Sequence, residues 1–188
     1  ALGNVSKGKT NSLKNIILHH QSSGKPYKNL YVVTCDVDSQ EWNDLDPTWV
    51  RDTLPDPSVF DGAEKSILVL DDFEFTGNKK AQQKNLSTIM RFCSSHRNLS
   101  VMISYQSFFE VPAICRKTAS CFLLYKPNSK AEVSVIANRV GIDKDKLRSL
   151  FNNECSGNYD SVFVDLTPNT PFPLRKNIFE PLEVSDSD

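Results

Sequence analysis

The chain has 188 residues, 39% of them hydrophobic and 11 of them Phe, which fits one domain of ordinary size with a real apolar core. Its 22 basic and 23 acidic side chains leave a net charge of −1, a balance that neither demands nor excludes nucleic acid because a local basic patch is what matters. No apolar run approaches the ~18 residues of a membrane span, no signal peptide is visible, and 5 cysteines, an odd count without a C-x-x-C pair, do not read as a disulfide frame or zinc site. Cys35, Cys93, Cys115, Cys121 and Cys155 read as reduced core residues of an intracellular protein; Cys121-Phe-Leu-Leu is an example of their apolar context.

Gly3-Asn4-Val5-Ser6-Lys7-Gly8-Lys9-Thr10 matches G-x-x-x-x-G-K-[ST], the P-loop or Walker A motif. Gly3 and Gly8 are expected to supply backbone angles that turn successive N–H groups toward β- and γ-phosphates. The helix that follows points its N-terminus at the same anion. Lys9 would reach the phosphates as a mobile charge, and Thr10 would place its hydroxyl on Mg²⁺. The phosphate-contacting stretch therefore runs from Gly3 through Asn4, Val5, Ser6, Lys7, Gly8, Lys9 and Thr10 to Asn11. Lys7 adds a second ammonium, directed either to solvent or to a phosphate. Only Ala1 and Leu2 precede the loop, so the strand that normally feeds a P-loop is truncated and the start is not expected to be the native one.

A helix over about 9–21 follows, with Leu13, Ile16, Ile17 and Leu18 at helical spacing. Leu30–Cys35 reads as a buried strand. Residues 36–64 are polar and predict a long loop with one short helix around Thr48–Leu54. Ser66–Leu70 is a second strand that ends in Asp71-Asp72. A helix is expected over about 79–95, with Leu86, Ile89, Met90 and Cys93 on one face. Leu99–Ser104 is a third strand, and a short helix falls near Val111–Lys117. Ser120–Tyr125 is a fourth strand. Helices are expected at about 129–140 and, after Gly141, about 143–152. A hairpin starting at Ser161–Asp165 returns near Pro173–Asn177, and an acidic tail covers 180–188. Alternating strands and helices predict one α/β domain over 1–179, with a mostly parallel sheet covered on both faces.

Ile67-Leu68-Val69-Leu70-Asp71-Asp72 is a Walker B pattern, an acid at the end of a buried strand. Asp71 would hold Mg²⁺ with Thr10. Asp72 would polarise the attacking water as general base, in a place where many ATPases carry Glu, with Glu74 as a fallback. Gln106, just past the third strand, is either a γ-phosphate sensor or an exposed strand-end amide. Charge developing on the phosphoryl group needs a cation, for which Arg91, Arg97 and Arg116 are candidates.

Taken in order, these segments resemble the genome-packaging ATPases of large double-stranded DNA viruses, the poxvirus-type branch of the FtsK–HerA superfamily. The Walker A run, Leu68–Asp72, Ser-His-Arg-Asn-Leu-Ser at 95–100, Ile-Ser-Tyr-Gln at 103–106, Val111–Arg116 and Phe122–Lys126 carry the likeness. It extends from residue 3 to about 126, and more weakly through Asp165–Asn177. The resemblance implies a RecA-like P-loop NTPase of the ASCE type that hydrolyses ATP with Mg²⁺. It implies a homo-oligomeric ring, often a hexamer, pumping double-stranded DNA into a preformed viral capsid at its portal vertex. The place of action would be the virion or the host-cell cytoplasm. By the same resemblance Lys9, Asp72 and Gln106 are catalytic, and an arginine, Arg97 or Arg91, acts from a neighbouring subunit. Lys7 departs from the small residue commoner at its place.

A motor must grip phosphates rather than read bases. Lys79 and Lys80, which follow the Walker B strand, are the candidate DNA contact. Two other readings stay open: a nucleotide kinase-type phosphotransferase, and an ATP-binding assembly switch.

Overall fold

The computed structural model describes residues 1–24, 26–75, 77–127 and 129–182, so the last six positions of the expected tail lie outside the described residues. The chain folds as two compact units. One comprises Thr10–Tyr105 and Ala113–Thr118; the other comprises Ala1–Lys9, Gln106–Pro112 and the chain from Ala119 onward.

The first unit is built on a four-stranded parallel sheet. Its strands are β1 (Asn29–Thr34), β2 (Trp49–Arg51), β3 (Ser66–Asp71) and β4 (Leu99–Ser104), in the order β2-β1-β3-β4. Every residue of β3 is buried, as an apolar run covered on both faces requires. Thr34 pairs with Asp71 and Asp71 with Ser104, so three strands finish level at their carboxyl ends.

Helix α1 (Lys9–Ser22) buries Leu13 and Ile17, whereas Leu18 stays 46% exposed, so the apolar stripe is narrower than the sequence suggests. Helix α2 (Lys79–Thr88) runs through a π-helical turn, Ile89–Cys93, into α3 (Ser94–His96). Leu86, Ile89, Met90 and Cys93 are buried along it, as their spacing predicts. A short helix, α4 (Ala113–Thr118), also belongs to this unit.

The short helix expected around Thr48–Leu54 is instead β2, an edge strand parallel to β1. Aromatic and β-branched side chains fit a pleated surface, and Pro47 and Pro55 restrict helix on either side. The Trp49 ring lies 5.0 Å from its register partner Tyr31, and the Arg51 guanidinium covers Trp49 at 4.8 Å. Two 3-10 turns, Gln40–Leu45 and Pro57–Val59, occupy the remainder of the polar stretch.

The second unit holds a four-stranded antiparallel sheet in the order β5-β6-β7-β8. The strands are β5 (Cys121–Tyr125), β6 (Ser161–Asp165), β7 (Leu174–Lys176) and β8 (Glu180–Pro181). The expected hairpin from Ser161 is present as β6–β7. β5 belongs to this sheet and not to the parallel one; a run such as Phe-Leu-Leu-Tyr records burial and carries no sign of a neighbour's direction. On the edge away from β6, Leu2 pairs with β5 in parallel fashion: its N–H donates to Leu123 O and its carbonyl accepts from Tyr125 N, both at 2.8 Å.

Helix α5 (Lys130–Val140) starts at Ser129, whose hydroxyl accepts from the N–H groups of Ala131 and Glu132. It stops at Gly141, where φ is 73°, as the sequence predicts. Helix α6 (Lys144–Asn153) is opened by Asp143 and buries Leu147, Leu150 and Phe151. Cys93, Cys115 and Cys155 are buried thiols, but Cys35 and Cys121 are exposed, which corrects their expected core placement. Cys121 opens β5, where strand-end position outweighs its apolar neighbours. Among the described residues no helix is long and apolar enough to cross a membrane.

Candidate nucleotide-binding site

The P-loop lies in the second unit up to Lys9. Its left-handed residues are Ser6, at φ 61°, and Gly8, at φ 79°. Gly3 serves for a different reason from the one the motif suggests. A methyl group there would sit 2.6 Å from Tyr125 Cβ, so glycine is needed for close approach to the end of β5. The Tyr125 hydroxyl also donates to Gly8 O, at 3.4 Å. Lys9 is 6% exposed and its Nζ donates to the Asn4 carbonyl at 3.2 Å, which folds the ammonium back across the loop. Val5 is exposed. Lys7 is half-buried, and its Nζ donates to Asn158 Oδ1 at 3.4 Å.

Thr10, next in the chain, falls in the parallel unit. Its hydroxyl donates to Asp71 Oδ2 at 3.0 Å, joining the Walker A threonine to the Walker B acid. The other oxygen of Asp71 accepts from the Ser104 hydroxyl. Asp71 and Ser104 are both buried, so the carboxylate is fixed in orientation. Ser104 Oγ also accepts from the Asp72 N–H at 3.1 Å. Asp72 leaves the strand at φ 45°, a conformation Asp tolerates better than most residues. Its Oδ1 is buried and has no hydrogen-bond partner among the described residues. The Thr10 hydroxyl and the Asp71 carboxylate are hard oxygen donors of the kind Mg²⁺ takes, alongside water and phosphate. These residues fit that ion.

Two residues here escaped sequence reasoning. Ser104 was legible only as a polar residue ending a strand; its place opposite Asp71 comes from the register of β3 and β4. Glu41, in the first 3-10 turn, has its carboxyl pushed up, first by burial and then by the charge of Asp71; Lys14 opposes this, while Asp36 and Asp72 add to it. Lys14 Nζ is held by Glu41 O at 2.6 Å and by Asp44 at 2.7 Å. The strand ends thus carry concentrated negative charge of the sort a cation neutralises.

Asn11 is exposed on the first turn of α1, and Glu74 is exposed beyond β3. Gln106 is exposed and belongs to the second unit. The turn after it is fixed by Glu132, whose Oε1 accepts from Ser107 Oγ at 3.0 Å and from Phe108 N. Arg91 is exposed on the π-helical turn. Arg97 is tied within its own unit: one guanidinium nitrogen donates to Pro57 O at 3.0 Å and Phe60 O at 2.7 Å, and the group lies over Phe92. Lys79 and Lys80 are exposed at the start of α2, where Asn78 Oδ1 accepts from Ala81 N.

The fold is that of a P-loop NTPase, an α/β architecture with a parallel sheet flanked by helices. The chain is similar to the genome packaging NTPase B204 of Sulfolobus turreted icosahedral virus 2 in complex with ATP-gammaS, at TM-score 0.66 and 12% identity over 97% of this chain and 96% of that one. It is similar to the same NTPase in complex with AMPPCP, at TM-score 0.60 and 13% identity, with the same coverage of 97% and 96%. B204, the DNA-packaging ATPase of Sulfolobus turreted icosahedral virus, matches at TM-score 0.65 and 12% identity, again over 97% and 96%. No family model and no curated protein matches the chain. At such identities the likeness is one of fold.

Proposed function

We propose that this chain is an ATPase domain, spanning residues 1–179, that drives duplex DNA into a viral capsid. The observation that carries the reading is the Thr10–Asp71 hydrogen bond of 3.0 Å, the Walker A to Walker B contact that an ATP-hydrolysing P-loop protein uses. The packaging NTPases that share the fold support the choice among P-loop functions.

In this reading Gly3–Asn11 bind the triphosphate, and Lys9 neutralises its β- and γ-oxygens. Thr10 and Asp71 would hold Mg²⁺, which supplies charge neutralisation on the phosphates. Ser104 holds Asp71 in one orientation. Asp72 accepts the proton of the attacking water, and Gln106 orients that water. Of the arginines, Arg91 is the better candidate to act on a neighbouring subunit, because Arg97 is engaged by two carbonyls of its own chain. Lys79 and Lys80 grip DNA phosphates. The working form is a homo-oligomeric ring, a hexamer by resemblance, at a capsid's portal vertex in the virion or the host-cell cytoplasm.

The test is the ATPase rate per subunit, with and without duplex DNA, across protein concentration. The reading expects DNA stimulation and a rate that rises with concentration as subunits complete one another's sites. DNA-independent turnover by a strict monomer would sink it, and phosphate transfer to a nucleoside monophosphate would establish the kinase reading instead.

A further inference from the structure

One aromatic ring beside the P-loop has no part in phosphate chemistry. The Tyr159 side chain is 71% exposed, yet its Cδ1 lies 3.5 Å from where a Cβ on Gly8 would stand. The ring therefore rests against the phosphate loop with most of its surface open. Its turn is firmly built. Asp160 Oδ2 accepts from Gly157 N at 2.9 Å, and Asn177 Nδ2 donates to Asp160 Oδ1 at 3.3 Å. Lys176 lies 3.7 Å from the same carboxylate. Gly157 has no room for a side chain, because a Cβ there would meet Asp160 Oδ2 at 2.9 Å. Asn158, in the same turn, accepts from Lys7 of the loop itself. All of these residues belong to one compact unit.

We propose that Tyr159 is the stacking platform for the base of the nucleotide whose phosphates the P-loop holds; this rests on the triphosphate reading of that loop. A nucleoside triphosphate is an anion with a flat aromatic ring at its other end. The loop supplies the anion site, and an exposed ring fixed at the loop's edge supplies a face for the base. Stacking needs only a π-face and tolerates any base. The site accordingly favours nucleoside triphosphates over bare triphosphate and discriminates little between ATP and GTP on this contact.

Equilibrium titration of the full chain with ATP, GTP and inorganic tripolyphosphate, each with Mg²⁺, tests it in the wild type, Tyr159→Ala and Tyr159→Phe. The expected result is a loss of about tenfold in ATP and GTP affinity for Tyr159→Ala, with tripolyphosphate binding unchanged and Tyr159→Phe near wild type. Tyr159→Leu gives the same comparison should the alanine variant fold poorly. Equal weakening of ATP and tripolyphosphate would assign the ring to loop support and overturn the proposal, as would unchanged ATP affinity. Wild-type chain that binds neither ATP nor tripolyphosphate would overturn the triphosphate reading itself.

Discussion

Ser104 accepts the backbone N–H of Asp72 at 3.1 Å while donating to the carboxylate of Asp71, so one hydroxyl at the end of β4 contacts both the acid that ends β3 and the acid just past it. Removing it leaves a buried carboxylate oxygen and the Asp72 N–H without this partner. Ser104→Ala is expected to cost about 1–3 kcal/mol of stability, the penalty for stranding buried polar groups. Urea unfolding measures it. Ser104→Thr, which keeps the hydroxyl, should recover most of the loss.

Asp72→Asn and Lys9→Ala separate chemistry from grip. With Asp72→Asn the rate should fall at least about a hundredfold, the scale of a lost general base, with ATP affinity kept. Lys9→Ala should lose binding as well. Steady-state turnover beside nucleotide titration distinguishes the two, and an Asp72→Asn variant with full turnover would remove Asp72 from the chemistry.

Gly3→Ala drives a methyl to 2.6 Å from Tyr125 Cβ, inside any permitted contact. Overpacking of this kind costs about 1–3 kcal/mol. The strain falls where the P-loop leans on β5, so ATP affinity should drop together with the melting temperature. Gly24→Ala makes a useful control: φ there is 81°, but among the described residues no atom beyond its chain neighbours lies within 4 Å of the added carbon, so its expected cost is confined to the backbone.

Arg97→Ala and Arg91→Ala should fail differently. Arg97 bonds to Pro57 O and Phe60 O, so its loss should lower the stability of the isolated chain by about 1–3 kcal/mol. Exposed Arg91 should leave stability within about 0.5 kcal/mol of wild type. If Arg91 acts between subunits, its alanine variant loses activity alone and regains part of it when mixed with Asp72→Asn subunits. Mixed-subunit ATPase assays read this.

Burial pushes the Cys115 thiol from its ordinary 9.0 up to about 12. The folded chain therefore holds this proton more tightly than the unfolded chain does. The sign follows: this contribution to stability is complete below about pH 9 and is lost progressively as pH rises toward 12. Urea midpoints measured across that window should fall, and less steeply in Cys115→Ala.

The meeting of two residues of the candidate site was legible because their types and places are constrained by chemistry. A G-x-x-x-x-G-K-T run and an acid closing a four-residue apolar strand have few other uses, and Thr10 and Asp71 do meet. What escaped depends on partners distant in sequence. Ser104 is an ordinary serine until its register with Asp71 is known. The reason for Gly3 lies in Tyr125, 122 residues further on, and not in its own backbone. Trp49–Arg51 became a strand because β1 offered an edge and Tyr31 a ring. β5 could be recognised as a buried strand, but nothing in Cys-Phe-Leu-Leu-Tyr says that its partner β6 runs the other way.

The pairing of Leu2 with β5 has a consequence for how the protein is made. During synthesis the phosphate loop leaves the ribosome before the strand it leans on, which follows only after residues 121–125 have been added. Until then Gly3 has no Tyr125 to approach and Gly8 no hydroxyl to accept. The parallel sheet β2-β1-β3-β4 draws on residues up to 104 and can close first. Contacts of such long sequence separation form late, so the level ends of β3 and β4 can settle before the loop at Gly3 gains its support from β5. A partly made chain with a settled parallel sheet therefore still lacks the β5 edge on which its phosphate loop leans.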